Sequence, residues 1–543
     1  MTPGRARAGR VAQLAAGAIL GLLSFLVVAP ATALKGGADS FAAQDDQLNL
    51  IANLRYFAWD SWRWPLMRAG GLGSAAGTVI VFNDGIPLYA LALKLARRAI
   101  TPEFNFIGVW LGLCYALQGA AAVAAVRMWG IRRWPPVIAA AALAVSMDAW
   151  LAQMIHAGLC CHAFLLLGVG LLGASSRWPP RRVILAALLL CGTALLVNAY
   201  LFAMTAALAI AILGVLVSRG VSLRRAGTAL AVLAGGTAAE MAVLGFFAPH
   251  GRGQGFGYFS MNILAPFFPP SSSLAGWFGD LDATGGQYEG RNFLGVGLFL
   301  LLAAALWTER FRLREILRRY RAVVIVATLL SLFSLSNQIF LGNRLFLLLP
   351  SPPRVFAEFR APGRFFWPVA YLVLIGAVVA LGRRGRRFDA LFAAAALLQW
   401  SDAAGIRNVQ RAILERRAEV GLAKAAWLPA MRAHARVVID PSWACATPTQ
   451  VRTVEEAVYL ASIPRVEIST FHDGRPSPPD CARDRAAFRA GASAKNALAI
   501  VLDGEGVPPA VVAGRCARFP GGRACSMRAD AAALLRPIGE LVP

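Results

Sequence analysis

Two adjacent carboxylates, Asp45 and Asp46, follow the first strongly apolar stretch of this 543-residue chain, and a third, Asp84, stands just before Ile86-Pro87-Leu88-Tyr89. At a membrane surface, backed by the aromatic run Trp59-Asp60-Ser61-Trp62-Arg63-Trp64, such acids have the chemistry of a general base toward a lipid-linked substrate. Neighbouring carboxylates repel each other's charge, which favours one of them keeping a proton. A simpler role competes. Asp is favoured at helix starts, here near Gln47 and ahead of an apolar segment over 86–100. Arg360 and Arg364, in Phe-Arg-Ala-Pro-Gly-Arg-Phe-Phe-Trp-Pro, offer guanidinium groups suited to bidentate phosphate binding or to anchoring among lipid headgroups. Arg252 and Arg344 are weaker cations of the same kind. His156 and His162 flank a short turn, where packing alone would account for them. Asp148 and Glu240 fall inside apolar stretches, and ionisable groups there are functional candidates.

The elements that must position these groups are read from composition. The chain is 57% hydrophobic and 15% charged, whereas a soluble chain carries about a quarter charged residues. Long apolar runs recur, which makes it a polytopic α-helical membrane protein. The net charge of +25 does not mark a nucleic-acid binder, because the arginines gather in short junctions between apolar runs. An apolar run over 11–34 follows Arg5, Arg7 and Arg10 and reads as an uncleaved first span. Further spans fall near 104–126, 136–153, 159–174, 183–199, 200–217, 226–246, 291–308, 322–336, 367–382 and 388–404, about 11 in all. Basic clusters at 127–133, 177–182, 219–225, 310–321 and 383–387 then all lie on the side of the N-terminus. The segment over 86–100 must lie in the interface rather than cross, or every later cluster would change sides. The expected orientation is a cytoplasmic N-terminus in a bacterial inner membrane.

Residues 1–404 therefore read as a transmembrane domain with a first external loop over 35–103. The loops over 247–290 and 337–366, rich in Gly, Pro and aromatics, read as irregular backbone over a cavity. From 405 to 543 the chain turns soluble in character. Short apolar runs over 436–440, 466–470 and 497–503 alternate with helical stretches such as 452–461, which predicts a small α/β domain. An odd number of spans places it in the periplasm. There Cys445, Cys481, Cys516 and Cys525 suffice for two disulfides of undetermined pairing.

An external acid after the first span, and a second acid before a Pro-Leu-Tyr helix, resemble the GT-C class of membrane glycosyltransferases, most of all its protein mannosyltransferase and aminoarabinose transferase branch. The chain is also similar to an uncharacterised bacterial family of that class. The phrases that carry this likeness run over 56–66, 81–88, Gln287-Tyr288-Glu289-Gly290 and 359–368. A basic residue that precedes Pro-Pro in the aminoarabinose branch is absent here, so the sugar is not indicated. The resemblance implies inverting transfer of a sugar from a polyprenyl-phosphate donor to an envelope glycan, lipid or protein. It implies Asp46 as base, with Asp45 and Asp84 as second choices. Arg360 and Arg364 would offset the charge of the leaving phosphate, and Glu289, Gln287, His156 and Arg252 would contact substrate. No strand is followed by a phosphate-cradling glycine loop, and no His/Cys/Asp/Glu spacing marks a metal site, so no cofactor is expected; a divalent ion is the exception that the wider class leaves open. The competing reading is a flippase for a lipid-linked glycan, or a non-catalytic envelope scaffold.

Overall fold

The computed structural model describes residues 3–29, 31–34, 45–104, 106–251, 253–276, 281–415, 421–506 and 515–542. The chain is mostly helical. Among the described residues, six helices are long and apolar enough to cross a bilayer: Arg7–Val28, Phe106–Met128, Ala157–Ala174, Ala199–Val217, Leu223–Leu244 and Pro362–Gly382. The pair Trp134–Ala144 and Asp148–Ile155, bent by 46°, makes a seventh if it counts as one broken span. Helices also fill the other stretches expected to cross, but they are short. Val296–Glu309 and Asp389–Asp402 have 14 residues each, Arg321–Leu335 has 15 and Pro180–Leu195 has 16. Fourteen residues cover about 21 Å, against about 30 Å of hydrocarbon.

For the Val296–Glu309 helix the start is fixed by a turn and by tertiary partners. Gly295, with φ of 93°, sets the start of the Val296–Glu309 helix. The first amides of that helix are satisfied by the end of the neighbouring one: Val296 N donates to Asp402 Oδ2 at 2.9 Å and Leu298 N to Gln399 Oε1 at 3.1 Å. A buried helix end needs such partners. The segment over 86–100 forms a helix only at Pro87–Ala96, ten residues long.

By contact the chain forms two compact units. The first comprises Met1–Thr32, Val109–Ala239 and Gly253–Glu415. Its helices approach closely through small residues. A Cβ at Gly21 would lie 1.9 Å from the Tyr115 carbonyl oxygen, and one at Gly119 would lie 2.0 Å from that of Gly17. Gly17 and Gly21 thus form a small-xxx-small stripe, the usual device for bringing helix backbones together in lipid. Within the loop over 337–366, the strands Gln338–Leu341 and Arg344–Leu348 pair antiparallel, where irregular backbone was expected. The turn uses Gly342 at φ of 62°.

The second unit comprises Ala33–Gly108, Glu240–Arg252 and Arg416–Pro543, so the first loop groups with the C-terminal region rather than with the spans. The grouping follows from what the Asp45–Trp59 helix buries. Arg55 is fully buried, donating Nε to Pro102 O at 2.7 Å and Nη1 to Ser462 Oγ at 3.3 Å, with its guanidinium 4.7 Å from the centre of the Tyr459 ring. Tyr56 donates its hydroxyl to Val466 O at 2.5 Å. The aromatic run beyond it is organised by Asp60, which accepts from Arg63 and from Gly70 N, and by Lys94. Lys94 Nζ donates to Phe57 O at 2.9 Å and Ser61 O at 3.1 Å. Burial lowers its pKa to about 8.

The C-terminal region holds a six-stranded mixed sheet. Across it lie Glu540–Val542, Arg515–Phe519, Gly522–Ser526, Ala497–Leu502, Arg436–Asp440 and Glu467–Ile468. The last three run parallel to one another and the rest antiparallel. The three expected strands and the helix Pro448–Ser462 are present. The three short strands nearer the C-terminus were not legible as alternating runs. Cys516 and Cys525 face each other across adjacent strands and are bonded, as are Cys445 and Cys481.

Candidate functional site

In the first unit, two of the loop phrases singled out by composition meet. Glu289 lies in a 3-10 turn, Gln287–Gly290, and Arg364 in another, Pro362–Phe366. Arg364 donates Nε to Glu289 Oε2 at 3.0 Å and Nη2 to Oε1 at 2.6 Å, a bidentate pair with both side chains buried. His156 Nε2 lies 3.1 Å from Glu289 Oε1. It follows the second half of the broken span, as the residue that ends Ala152–Ile155. Burial alone would raise the pKa of Glu289, but Arg364 and His156 outweigh it and hold the carboxyl well below the usual range.

The two turns are held by glycine and amide chemistry. Asn292 Nδ2 donates to Gly290 O at 3.0 Å and to Gly363 O at 2.9 Å. A Cβ on Gly363 would come within 2.7 Å of Gly290 Cα, so only glycine allows this approach. Tyr200, at the start of the Ala199–Val217 helix, accepts from Ala361 N at 3.0 Å, and the Arg364 guanidinium carbon lies 4.9 Å from its ring centre. Tyr200 and Asn292 were not singled out from sequence. Asn292 was visible inside the Gly-Gln-Tyr-Glu-Gly-Arg-Asn phrase, whereas Tyr200 carried no signal beyond its place after Asn198.

A line of rings leads away from this cluster. Tyr200 packs on Phe359 and Phe365 with ring centres 5.3 and 6.0 Å apart, Phe365 on Phe333 at 4.7 Å, and Phe333 on Phe256 and Phe356 at 5.6 and 5.9 Å. Phe256, Phe333 and Phe356 line a groove of about 220 Å³ together with Leu332, Leu349 and Pro350. Arg360 is exposed, with its guanidinium carbon 5.9 Å from the Phe259 ring centre.

The remaining candidates fall elsewhere. The helix begins at Asp45, but the side chains of Asp45 and Asp46 lie outside the described residues, as does Arg252. Asp84 is exposed with φ of 51° and does not cap the helix after it; Ile86 holds the cap position, with no side-chain bond. Gln287 is committed to its own loop: its Oε1 accepts from Ala283 N at 3.1 Å and Asn262 Nδ2 at 3.3 Å, and its Nε2 donates to Ser260 Oγ at 3.2 Å. His162 is buried in the helical body, 2.9 Å from the Tyr371 hydroxyl, with its ring centre 4.2 Å from that of Trp367 and the planes tilted by 35°. Asp148 is buried within electrostatic range of Arg291 and Asp402, and Glu240 is half-buried on its helix. Among the described residues, no group of three or more His, Cys, Asp or Glu gathers as metal ligands.

Residues 18–404 match the family model of a domain of unknown function, DUF6311. The chain belongs to this family. The match spans all three members of the Glu289–Arg364–His156 cluster and the acids at 45, 46 and 84, and it stops short of the six-stranded sheet. No curated protein and no solved structure matches the chain.

Proposed function

We propose that the protein is a membrane glycosyltransferase that moves a sugar, with inversion, from a polyprenyl-phosphate donor to an envelope glycan, lipid or protein. The observation that carries this reading is the line of aromatic rings joining an apolar groove to the Glu289–Arg364 pair. A groove of that lining suits an isoprenoid tail, and the exposed guanidinium of Arg360, four positions before Arg364, suits an anionic head. Because Arg364 is already bound to Glu289, the exposed Arg360 is the cation assigned to the phosphate, with Glu289 as the positioning residue that fixes Arg364. The chain would sit in the bacterial inner membrane with its N-terminus cytoplasmic, about 11 crossings with the short helices included, and the sheet-bearing region periplasmic.

In the reaction, a carboxylate takes the proton of an acceptor hydroxyl while that oxygen bonds to the anomeric carbon. The bond from that carbon to the phosphate oxygen breaks, and its electron pair leaves with the lipid phosphate. Asp46 is the assigned base, with Asp45 and then Asp84 behind it.

The test is transfer of labelled sugar from polyprenyl-phosphate donors in membranes, comparing wild type with Asp46→Asn and Arg360→Ala after each is shown to insert and melt normally. Wild-type transfer, with loss in Asp46→Asn, is the expected result. Undiminished transfer in that variant moves the base to Asp45 or Asp84. Absence of transfer from every donor overturns the enzyme reading in favour of a flippase or scaffold.

A further inference from the structure

The second unit contains a cavity of about 450 Å³ that the transfer reading does not use. Its size is that of a small-molecule site. It runs along the strand Arg436–Asp440 and reaches the residues that follow the parallel strands, where ligands collect on open α/β sheets. Ser442 and Trp443 follow the strand Arg436–Asp440, and Ser469, Thr470 and Asp473 follow Glu467–Ile468. The opposite wall is the Cys481–Ala492 helix, from Arg483 and Asp484 near its start to Phe488 and Gly491 near its end. The Cys445–Cys481 disulfide ties the two walls together beside Trp443.

Trp443 is held rigidly. One face stacks on His472, with ring centres 4.1 Å apart and planes at 14°. Its Nε1 donates to Glu455 Oε1 at 3.1 Å, and His472 Nδ1 lies 3.0 Å from the same oxygen. Glu455 is buried, so indole and imidazole are both fixed by a carboxylate inside the domain. The backbone N of Trp443 donates to Thr470 Oγ1 at 2.8 Å, and Ser442 Oγ donates to Asp484 Oδ2 at 2.6 Å.

The charge of the lining decides the ligand class. Arg436 and Arg483 stand against Glu467, Asp473, Asp480 and Asp484, so acids outnumber bases and an anion is disfavoured. A fixed indole, whose electron-rich face attracts C–H groups, beside short hydroxyls and carboxylates suits a ring that is apolar on one face and rich in hydroxyls at its edge. We infer that this cavity binds an uncharged sugar ring, stacked on Trp443 and hydrogen-bonded by Asp484 and Asp473. Glu455 is a positioning residue that acts through the indole. The site needs no donor lipid and stands whether or not the chain transfers sugar.

The experiment uses the full chain in lipid nanodiscs. Methyl glycosides of neutral hexoses, N-acetylhexosamines and short neutral oligosaccharides are titrated by calorimetry and saturation-transfer NMR, with inorganic phosphate as the anionic probe. At least one neutral glycoside should bind saturably. Trp443→Ala and Asp484→Asn should each weaken it tenfold or more. Trp443→Phe, which keeps an aromatic face but loses the bond to Glu455, should bind with intermediate affinity, and Glu455→Gln should weaken binding at unchanged melting temperature. Saturable binding by none of the glycosides, equal binding by Trp443→Ala, or tighter binding of phosphate than of any glycoside would each overturn the assignment.

Discussion

At the scale of single residues, the Glu289–Arg364 pair is the sharpest feature of the helical body. Taking one partner from a buried, bidentate pair leaves the other uncompensated, which costs about 3–5 kcal/mol. Glu289→Gln should therefore lower thermal stability by an amount of that order. Removing both charges together should recover part of the loss, since contacting residues couple by about 0.5–3 kcal/mol. The pH dependence has a definite sign. The carboxyl is held below its unfolded value of about 4.3, so its contribution is complete above that value and is lost as pH falls below it. Melting of the wild type in detergent should decline through this acid range, and Glu289→Gln should show a smaller decline. Equal acid profiles for the two proteins would remove the charge of Glu289 from the account.

At the scale of elements, the glycine stripe makes a prediction of its own. Gly21→Leu would drive a side chain into the Tyr115 backbone, whereas Gly9, with nothing near a Cβ, should accept alanine within about 0.5 kcal/mol. Thermal melts and monodispersity of the two variants provide the comparison; a normal Gly21→Leu protein would mean that the two helices do not meet at Gly21. This scale also separates what could be read from sequence from what could not. The strand Arg436–Asp440 was readable because Arg-Val-Val-Ile-Asp is a short β-branched run, and its bounds coincide with those observed. Helices appear in each expected span because apolar composition is local. The lengths of several were not readable, since Val296–Glu309 starts where Gly295 turns and where Gln399 and Asp402, more than a hundred positions away, satisfy its first amides. The Glu289–Arg364 contact was hidden for a similar reason: each residue was a candidate alone, but their separation of 75 has no periodicity to reveal it. Arg515–Phe519 and Gly522–Ser526 were obscured by Arg, Cys and Ala, which do not alternate as a half-buried strand does.

At the scale of the whole molecule, sidedness can be measured directly. The cysteines outside the disulfides, Cys114, Cys160, Cys161 and Cys191, are all buried, so background labelling is low. Single cysteines at the exposed positions Ser477 and Arg387 should differ in intact cells. A membrane-impermeant maleimide should reach Ser477→Cys and leave Arg387→Cys unlabelled until the membrane is opened. The reverse pattern would invert the proposed orientation.

The burial of Arg55 and Tyr56 bears on the order in which the chain is made. Their partners Tyr459, Ser462 and Val466 are synthesised some four hundred residues later. During translation the Asp45–Trp59 helix is in place long before the residues that cover its guanidinium and phenol exist. A ribosome that stops after the last helix of the family domain leaves that surface bare. The second unit therefore cannot close until Tyr459, Ser462 and Val466 have been made, and a nascent chain must be kept from misassociating until then.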